Sequence, residues 1–403
     1  MTKKILIINS DSPHNKGDQA ILLGNINLIR YLWQDAKITA ISDNPTRDEK
    51  WFGIEFIDQK VYTLNPISIL KLTIQARKFD YVFWGGGELL KDYTNKIAPI
   101  YWFIRILLLN TFGVEVYGLF QGIGPSKGRF SKFLIARSVD MTKIFFVRDH
   151  ESRTKLISYG ADPKKIVPGY DPAILNTPKS STKELFNEIG IKKEFIENSI
   201  IVSPRRWFHY TQSTWTPAII QKIIGRSRET KSLDTYKNNL AIILKQIKDK
   251  HNVNVIFFPM FTSKSEGDTE FSIEICDMID CNDVIVVDSE LVSPESMLNL
   301  FSLARATMGS RLHSSIVSIS AGTPSVCLYY VDKGRIFFDQ IDARDQCFPI
   351  EAILTDEGLI AIGNATSKIL GKDRVSKPHE NSLKRIRKEL LAIFESKFEN
   401  DKD

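Results

Sequence analysis

The stretch Met308-Gly309-Ser310-Arg311-Leu312-His313-Ser314-Ser315 ends an apolar, β-like run and opens a helical one, LHSSIVSISA over 312–321, which stops at Gly322-Thr323-Pro324. Strand, tight turn and helix in that order form the repeating unit of a parallel α/β sheet. The unit recurs in both directions. Upstream, helical segments over 233–250, 270–278 and 294–304 alternate with apolar runs over 199–203, 253–259 and 284–287; downstream come a strand over 325–330 and a helix after Lys333. The first half follows the same pattern, with strands expected over 4–10, 37–42, 61–64, 80–84, 115–120 and 143–147 and helices over 19–33, 67–77, 97–112 and 130–140. KILIINS at 4–10 is apolar almost without a break, as in a strand covered on both faces. Residues 160–175 read as a last short strand and the exit to a linker. The chain therefore predicts an α/β protein of two Rossmann-like, doubly wound domains, 1–178 and 196–375, facing a cleft, with a basic amphipathic helix over 380–400.

A length of 403 residues suffices for two domains with their own cores. Hydrophobic residues at 43% and charged residues at 25% exclude a disordered or fibrous chain. The net charge of +6 suits anionic substrates or an anionic surface, and no Lys/Arg block interleaved with aromatics marks a nucleic-acid groove. The most apolar window, IAPIYWFIRILLLNTF over 97–112, is too short to cross a bilayer and carries Arg105; it is expected to be a buried core helix, with contact at a headgroup region as the alternative. Cys276, Cys281, Cys327 and Cys347 lack metal-ligand spacing and the six histidines are scattered, so no metal is expected and the thiols read as buried. Few cysteines and no leader-like start point to the cytoplasm, with peripheral contact at the inner face of the membrane as the alternative.

The turn at Gly309-Ser310 delivers Arg311 and His313 to the first turn of a helix, where free N–H groups and the positive dipole end favour an anion. Arg311 offers a planar fork for carboxylate or phosphate, and His313 a titratable imidazole. The plain alternative is that Arg311 pairs with a carboxylate and His313 caps or packs. Other special residues also fall at predicted strand ends: Gly17-Asp18, Gly85-Gly86-Gly87-Glu88, Gln121-Gly122-Ile123-Gly124-Pro125, Arg148-Asp149, Pro204-Arg205 and Asp332-Lys333. Their glycines make tight turns or allow close backbone approach. None forms a dinucleotide fingerprint or a P-loop. His14 and Asn15 contact an acceptor sugar or lie in a solvated loop; Glu88 and Asp92 bind sugar hydroxyls or cap the following helix; and Trp207, Phe208, His209 and Tyr210 stack on a sugar ring or fill the contact between domains.

Taken in order, these motifs resemble the polysaccharide pyruvyl transferase family. The matching pieces are Gly17-Asp18-Gln19-Ala20-Ile21-Leu22, Gly85-Gly86-Gly87-Glu88-Leu89-Leu90-Lys91-Asp92, Gln121-Gly122-Ile123-Gly124-Pro125, Arg148-Asp149-His150-Glu151-Ser152, Asp171-Pro172-Ala173 and Gly309-Ser310-Arg311-Leu312-His313. The resemblance implies a GT-B-like fold and transfer of pyruvate from phosphoenolpyruvate to a sugar of a cell-surface polysaccharide or its lipid-linked precursor, without a further cofactor. It implies that Arg148, Arg205, Arg311, Ser314 and Lys333 line the donor site and that His313, Arg311 and Arg148 are catalytic. His14, Asn15, Gly17, Asp18, Glu88 and Asp92 fall on the acceptor side. Gln19 departs from the family, which usually has Glu there.

Two other functions fit the same architecture: a glycosyltransferase using a nucleotide sugar, and a non-catalytic glycan-binding relative. Intact Arg148, Arg311 and His313 speak for the enzyme.

Overall fold

The computed structural model describes residues 2–8, 14–60, 62–63, 65–92, 96–179, 183–208, 231–263, 267–279, 282–371 and 377–398. Two all-parallel sheets carry the fold. The first contains β1 (Lys4–Ile8), β2 (Lys37–Ser42), β3 (Glu55–Asp58), β4 (Tyr81–Trp84), β5 (Val116–Gln121), β6 (Phe145–Val147) and β7 (Ile166–Pro168), in the spatial order β3-β2-β1-β4-β5-β6-β7. The second contains β8 (Ser199–Ser203), β9 (Asn254–Phe257), β10 (Val284–Val286), β11 (Ala306–Gly309), β12 (Ser325–Tyr329) and β13 (Cys347–Pro349), in the order β10-β9-β8-β11-β12-β13. Ile5, Leu6, Ile7 and Ile8 are all fully buried, which explains why the first strand is apolar throughout.

Strand order reverses at β1/β4 in one sheet and at β8/β11 in the other. Chains leaving such neighbouring strands diverge to opposite faces and open a crevice at the carboxyl ends. The loops that leave β1, β4, β8 and β11 carry, respectively, the segment before Asn15, the triglycine with Glu88, Pro204-Arg205, and Ser310-Arg311. Of these residues, Glu88 lines the cleft described below.

Three expectations need correction. The third strand is Glu55–Asp58 and not 61–64; Val61 and Leu64 lie outside the described residues and Tyr62 is in a turn. The helix Pro45–Phe52 precedes it, closed by Gly53 in the left-handed conformation, φ 61°. The first helix starts at Lys16, before Gln19, because the Asn15 side chain accepts from the Gly17 and Asp18 amides and caps it. The helix Ala98–Thr111 is buried on one face only, through Tyr101, Trp102, Ile106 and Leu109; Ile104 and Leu107 face outward.

The helix Lys377–Glu395 returns from the second half to the first. Phe394 and Phe398 lie against Trp33, Phe83 and Phe146, and Arg387 donates to the carbonyls of Ile174 and Ser320, one from each half. The halves are also joined by backbone. Asn15 makes an antiparallel bridge with Phe261, Lys16 N–H donates to Met260 O at 2.9 Å, and Thr262 N–H donates to His14 O at 2.8 Å. No helix among the described residues is long and apolar enough to cross a membrane.

Candidate active site

Arg148 follows the end of β6 and is 6% exposed. Three carboxylates surround its guanidinium: Glu88 at 3.6 Å, Asp149 at 3.6 Å and Asp171 at 3.7 Å. The guanidinium lies on the backbone of Gly122, where an added Cβ would come within 2.2 Å of Nη2. The glycine in the Gln-Gly-Ile-Gly-Pro motif thus makes room for the arginine. Nη1 of Arg148 is buried and makes no hydrogen bond among the described residues. Nη1 faces Asp171 at 3.7 Å, too far for a hydrogen bond, so a water, an ion or a ligand group would satisfy it.

Glu88 also faces Lys91 at 3.6 Å and Lys333 at 3.8 Å. Lys333 opens the helix Lys333–Gln340, so its charge stands beside that helix's amino end. Arg148, Lys333, Glu88, Ser152, Lys155 and Tyr330 line a cleft of about 300 Å³. A narrow recess continues from it between Arg148, Asp171, Leu312 and Lys333.

His313 stands in the first turn of the helix Leu312–Ser320, and its Nε2 lies 3.2 Å from Asp171 Oδ2. Asp171 is 5% exposed, and Ala173 N–H donates to its other oxygen at 3.1 Å. Burial alone would push the Asp171 carboxyl up; the His313 ring, Arg148 and the Ala173 amide outweigh it and hold the group below the usual carboxylate range. The other side of the imidazole rests on Gly17: a Cβ there would meet Nδ1 at 2.6 Å and Cγ at 2.9 Å. Gly17 thus makes room for His313. One half of the molecule supplies Asp171 and Gly17, the other His313, so closing the two halves together builds the pair.

Arg311 has different surroundings from Arg148. Its Nε and Nη2 donate to the two oxygens of fully buried Asp268 at 2.9 and 2.8 Å. A bidentate pair occupies the fork that the sequence reading assigned to the donor, and in this arrangement it fixes the turn that presents His313. Ser314 is fully buried and its hydroxyl donates to Arg311 O at 2.6 Å, so it ties the turn instead of facing the cleft. Asp92 is likewise structural: it accepts from the amides of Lys127 and Gly128 at 3.0 and 2.9 Å. Arg205 lies over the rings of Tyr330, at 4.3 Å, and Trp207, at 5.2 Å, and Tyr330 forms part of the cleft wall. Phe208 packs edge-on to Tyr236; His209 and Tyr210 lie outside the described residues. His14 Nδ1 is 3.2 Å from Thr262 Oγ1 and 3.6 Å from Glu290, and Asn15 Nδ2 donates to Asp18 at 2.7 Å; these residues hold the contact between the halves.

Sequence reasoning gave no site role to Asp171, Asp268, Ser152 or Lys155. Asp171 was visible as the start of Asp171-Pro172-Ala173, but the segment 160–175 reads as an exit to a linker. Asp268 opens the helix Asp268–Ile279 with no motif around it.

Two parallel sheets, with a cleft lined by Arg148, Lys155 and Lys333 together with Glu88 and Asp149 at their strand ends, define a two-sheet α/β protein of the GT-B arrangement. The chain belongs to the polysaccharide pyruvyl transferase family, whose model matches residues 15–332. It is 21% identical over 404 residues to the amylovoran biosynthesis protein AmsJ of Erwinia amylovora, covering 89% of this chain and 90% of that one. Among solved structures it is similar in fold to a UDP-GlcNAc 2-epimerase from Methanocaldococcus jannaschii, with TM-score 0.58, 14% identity and 96% and 99% of the two chains covered. It is also similar to Anabaena Alr3699/HepE, solved in complex with UDP, with TM-score 0.56, 11% identity and 99% of each chain covered.

Proposed function

We propose that this protein transfers pyruvate from phosphoenolpyruvate to a sugar of an exopolysaccharide or its precursor, forming a cyclic ketal. Family membership and the polysaccharide-biosynthesis relative support the class of reaction. The observation that carries the donor is the buried Nη1 of Arg148, without a hydrogen bond among the described residues, in a cleft shared with Lys333 and next to the Asp171–His313 pair. A small dianionic or trianionic enol satisfies that donor and adds Lys333 and Lys155 as partners for its phosphate.

In this reading His313, as imidazolium, protonates the methylene carbon of the enol, and the central carbon becomes electrophilic. A sugar hydroxyl adds there and gives its proton to the imidazole. The bond from that carbon to the phosphate oxygen breaks, and phosphate departs toward Arg148 and Lys333. A second hydroxyl of the same sugar adds to close the ketal, and its proton leaves with the phosphate. One enol phosphate and one diol thus give one ketal and one hydrogen phosphate, with no change of oxidation state. Asp171 orients the ring and balances its charge, and Arg311, held by Asp268, fixes the turn beneath it.

Calorimetric titration of phosphoenolpyruvate tests this reading. Saturable binding to the unaltered protein is expected, with Arg148→Ala and Lys333→Ala each weakening it at least about tenfold. Absence of binding, together with saturable binding of a nucleotide sugar in the same cleft, would replace this reading with that of a glycosyltransferase.

A further inference from the structure

Three consecutive helices of the first half lie side by side: Pro66–Ala76, Ala98–Thr111 and Arg129–Asp140. Each buries one face on the sheet, and each leaves large apolar side chains in solvent. Ile67 is 76% exposed, with Leu70 and Ile74 on the same helix. Ile104 and Leu107 continue the surface on the second helix, and Phe130, 62% exposed, and Phe133 on the third. Scattered apolar residues on a surface need no explanation, but exposed large apolar residues on each of three neighbouring helices do.

The charge around this face has one sign. The three helices expose Lys71, Arg129 and Arg137, with Lys132 half-buried over the Tyr159 ring, and their single acidic residue is Asp140, at the last position of the third and paired with Arg137 at 3.0 Å. Lys127 precedes the third helix and is exposed. A second copy of the chain meeting this face through a two-fold axis would set these cations against one another. An anionic lipid surface complements both features, because aliphatic and phenyl groups enter the headgroup boundary while lysine and arginine meet phosphates.

We infer that the face formed by these three helices docks on the surface of an anionic phospholipid bilayer. Its position suits the site. Ile67 and Phe130 stand at the amino ends of their helices, the end at which the sheet delivers Glu88 and Arg148. Asp92 holds the amides of Lys127 and Gly128, so the loop after Glu88 is tied directly to the entry of the Phe130 helix. A docked molecule would present its cleft to a glycan tethered in the bilayer; that last step rests on the sugar-modifying reading of the site, whereas the docking itself does not.

Co-sedimentation of the full chain with phosphatidylcholine vesicles, with and without phosphatidylglycerol, tests the docking without any activity measurement. Sedimentation with the anionic vesicles is expected, weakened by salt. Phe130→Ser combined with Phe133→Ser should lower partitioning about tenfold, and Lys71→Glu combined with Arg129→Glu should do the same with the apolar groups intact. All four positions are solvent-exposed, and a thermal melt checks each variant. Protein left in the supernatant with both vesicle types at low salt overturns the inference, as does unchanged sedimentation of both variants. Dimers that Phe130→Ser with Phe133→Ser abolishes would assign the face to a second copy and overturn it too.

Discussion

Asp171 Oδ2 stands 3.2 Å from Nε2 of His313, a contact made between residues 142 positions apart in the chain. The carboxylate is buried, so little water competes for the imidazole. Replacing it with Asn keeps an oxygen for the Ala173 amide but removes the charge beside the ring. Asp171→Asn should lower kcat about a hundredfold or more while leaving phosphoenolpyruvate affinity within a few-fold. A change confined to donor affinity would show that the pair only shapes the pocket. The sign of the pH effect on stability is also fixed. A carboxyl held below its ordinary value of 3.8 stabilises the fold above that value and loses the contribution as pH falls through its lowered folded value. The gap in melting temperature between the unaltered protein and Asp171→Asn should therefore be full at neutral pH and close in strong acid.

Gly17→Ala probes the other wall of the imidazole. Its Cβ would fall 2.6 Å from Nδ1 and 3.1 Å from the His313 Cβ, so the ring cannot escape by rotating its far end alone. Alanine is the better helix former at this position, by up to about 1 kcal/mol. The expected outcome is a protein that folds with near-normal stability and loses most of its turnover. Full activity in Gly17→Ala would mean that His313 is not held where this structure places it.

The sequence is legible where one pattern has one cause. KILII at 4–8 reads as a strand buried on both faces and is one, and the strand–glycine–helix rhythm locates nearly every special residue at a strand end. It fails where two segments compete locally. Glu55–Asp58 is four residues long with a charge at each end, while the nearby 61–64 offers Val, Tyr and Leu; the register with Thr39–Ser42 chooses the former. It also fails where the partner is remote. Nothing around Arg311 reveals that Asp268 fills its fork, and nothing around Asp171 reveals His313. Charge pairs closed by tertiary packing leave no periodicity to read. The glycines were seen as turns or ligand contacts, yet Gly17 and Gly122 accommodate His313 and Arg148, a role that appears only once both chains of packing are in place.

Phe394 gives the tail helix its purpose. It is fully buried and its ring lies within 6.4 Å of those of Trp33, Phe83, Phe120 and Phe146, all in the first half, although the helix follows the second. Phe394→Ala should cost about 3–5 kcal/mol, through lost burial and the cavity left among these rings. Chemical denaturation should show the loss. A cost below about 1 kcal/mol would mean that the helix is not a structural clasp between the halves.

Lys16 is the least expected charge in the contact between the halves. It is fully buried, its Nζ donates to Val292 O at 2.7 Å, and it stands 4.8 Å from the Trp51 ring centre. Burial first, and Arg47 second, bring its pKa down from 10.5 to about 7, against the opposing pull of Glu188, Glu290 and Asp48. The folded state therefore favours the neutral amine, whereas the unfolded chain keeps its proton up to about 10.5. Between those values the unfolded state binds more protons, so stability rises with pH, by at most roughly 1.4 kcal/mol per unit from this group. Lys16→Met removes the effect and also strips a hydrogen bond from the Val292 carbonyl, a loss that does not vary with pH. The stability of Lys16→Met relative to the unaltered protein should consequently be greatest at pH 7 and below and should decline steadily toward pH 10. Denaturant titrations at a series of pH values read this directly, and a difference that stays constant across that range would show that Lys16 keeps its charge inside the fold.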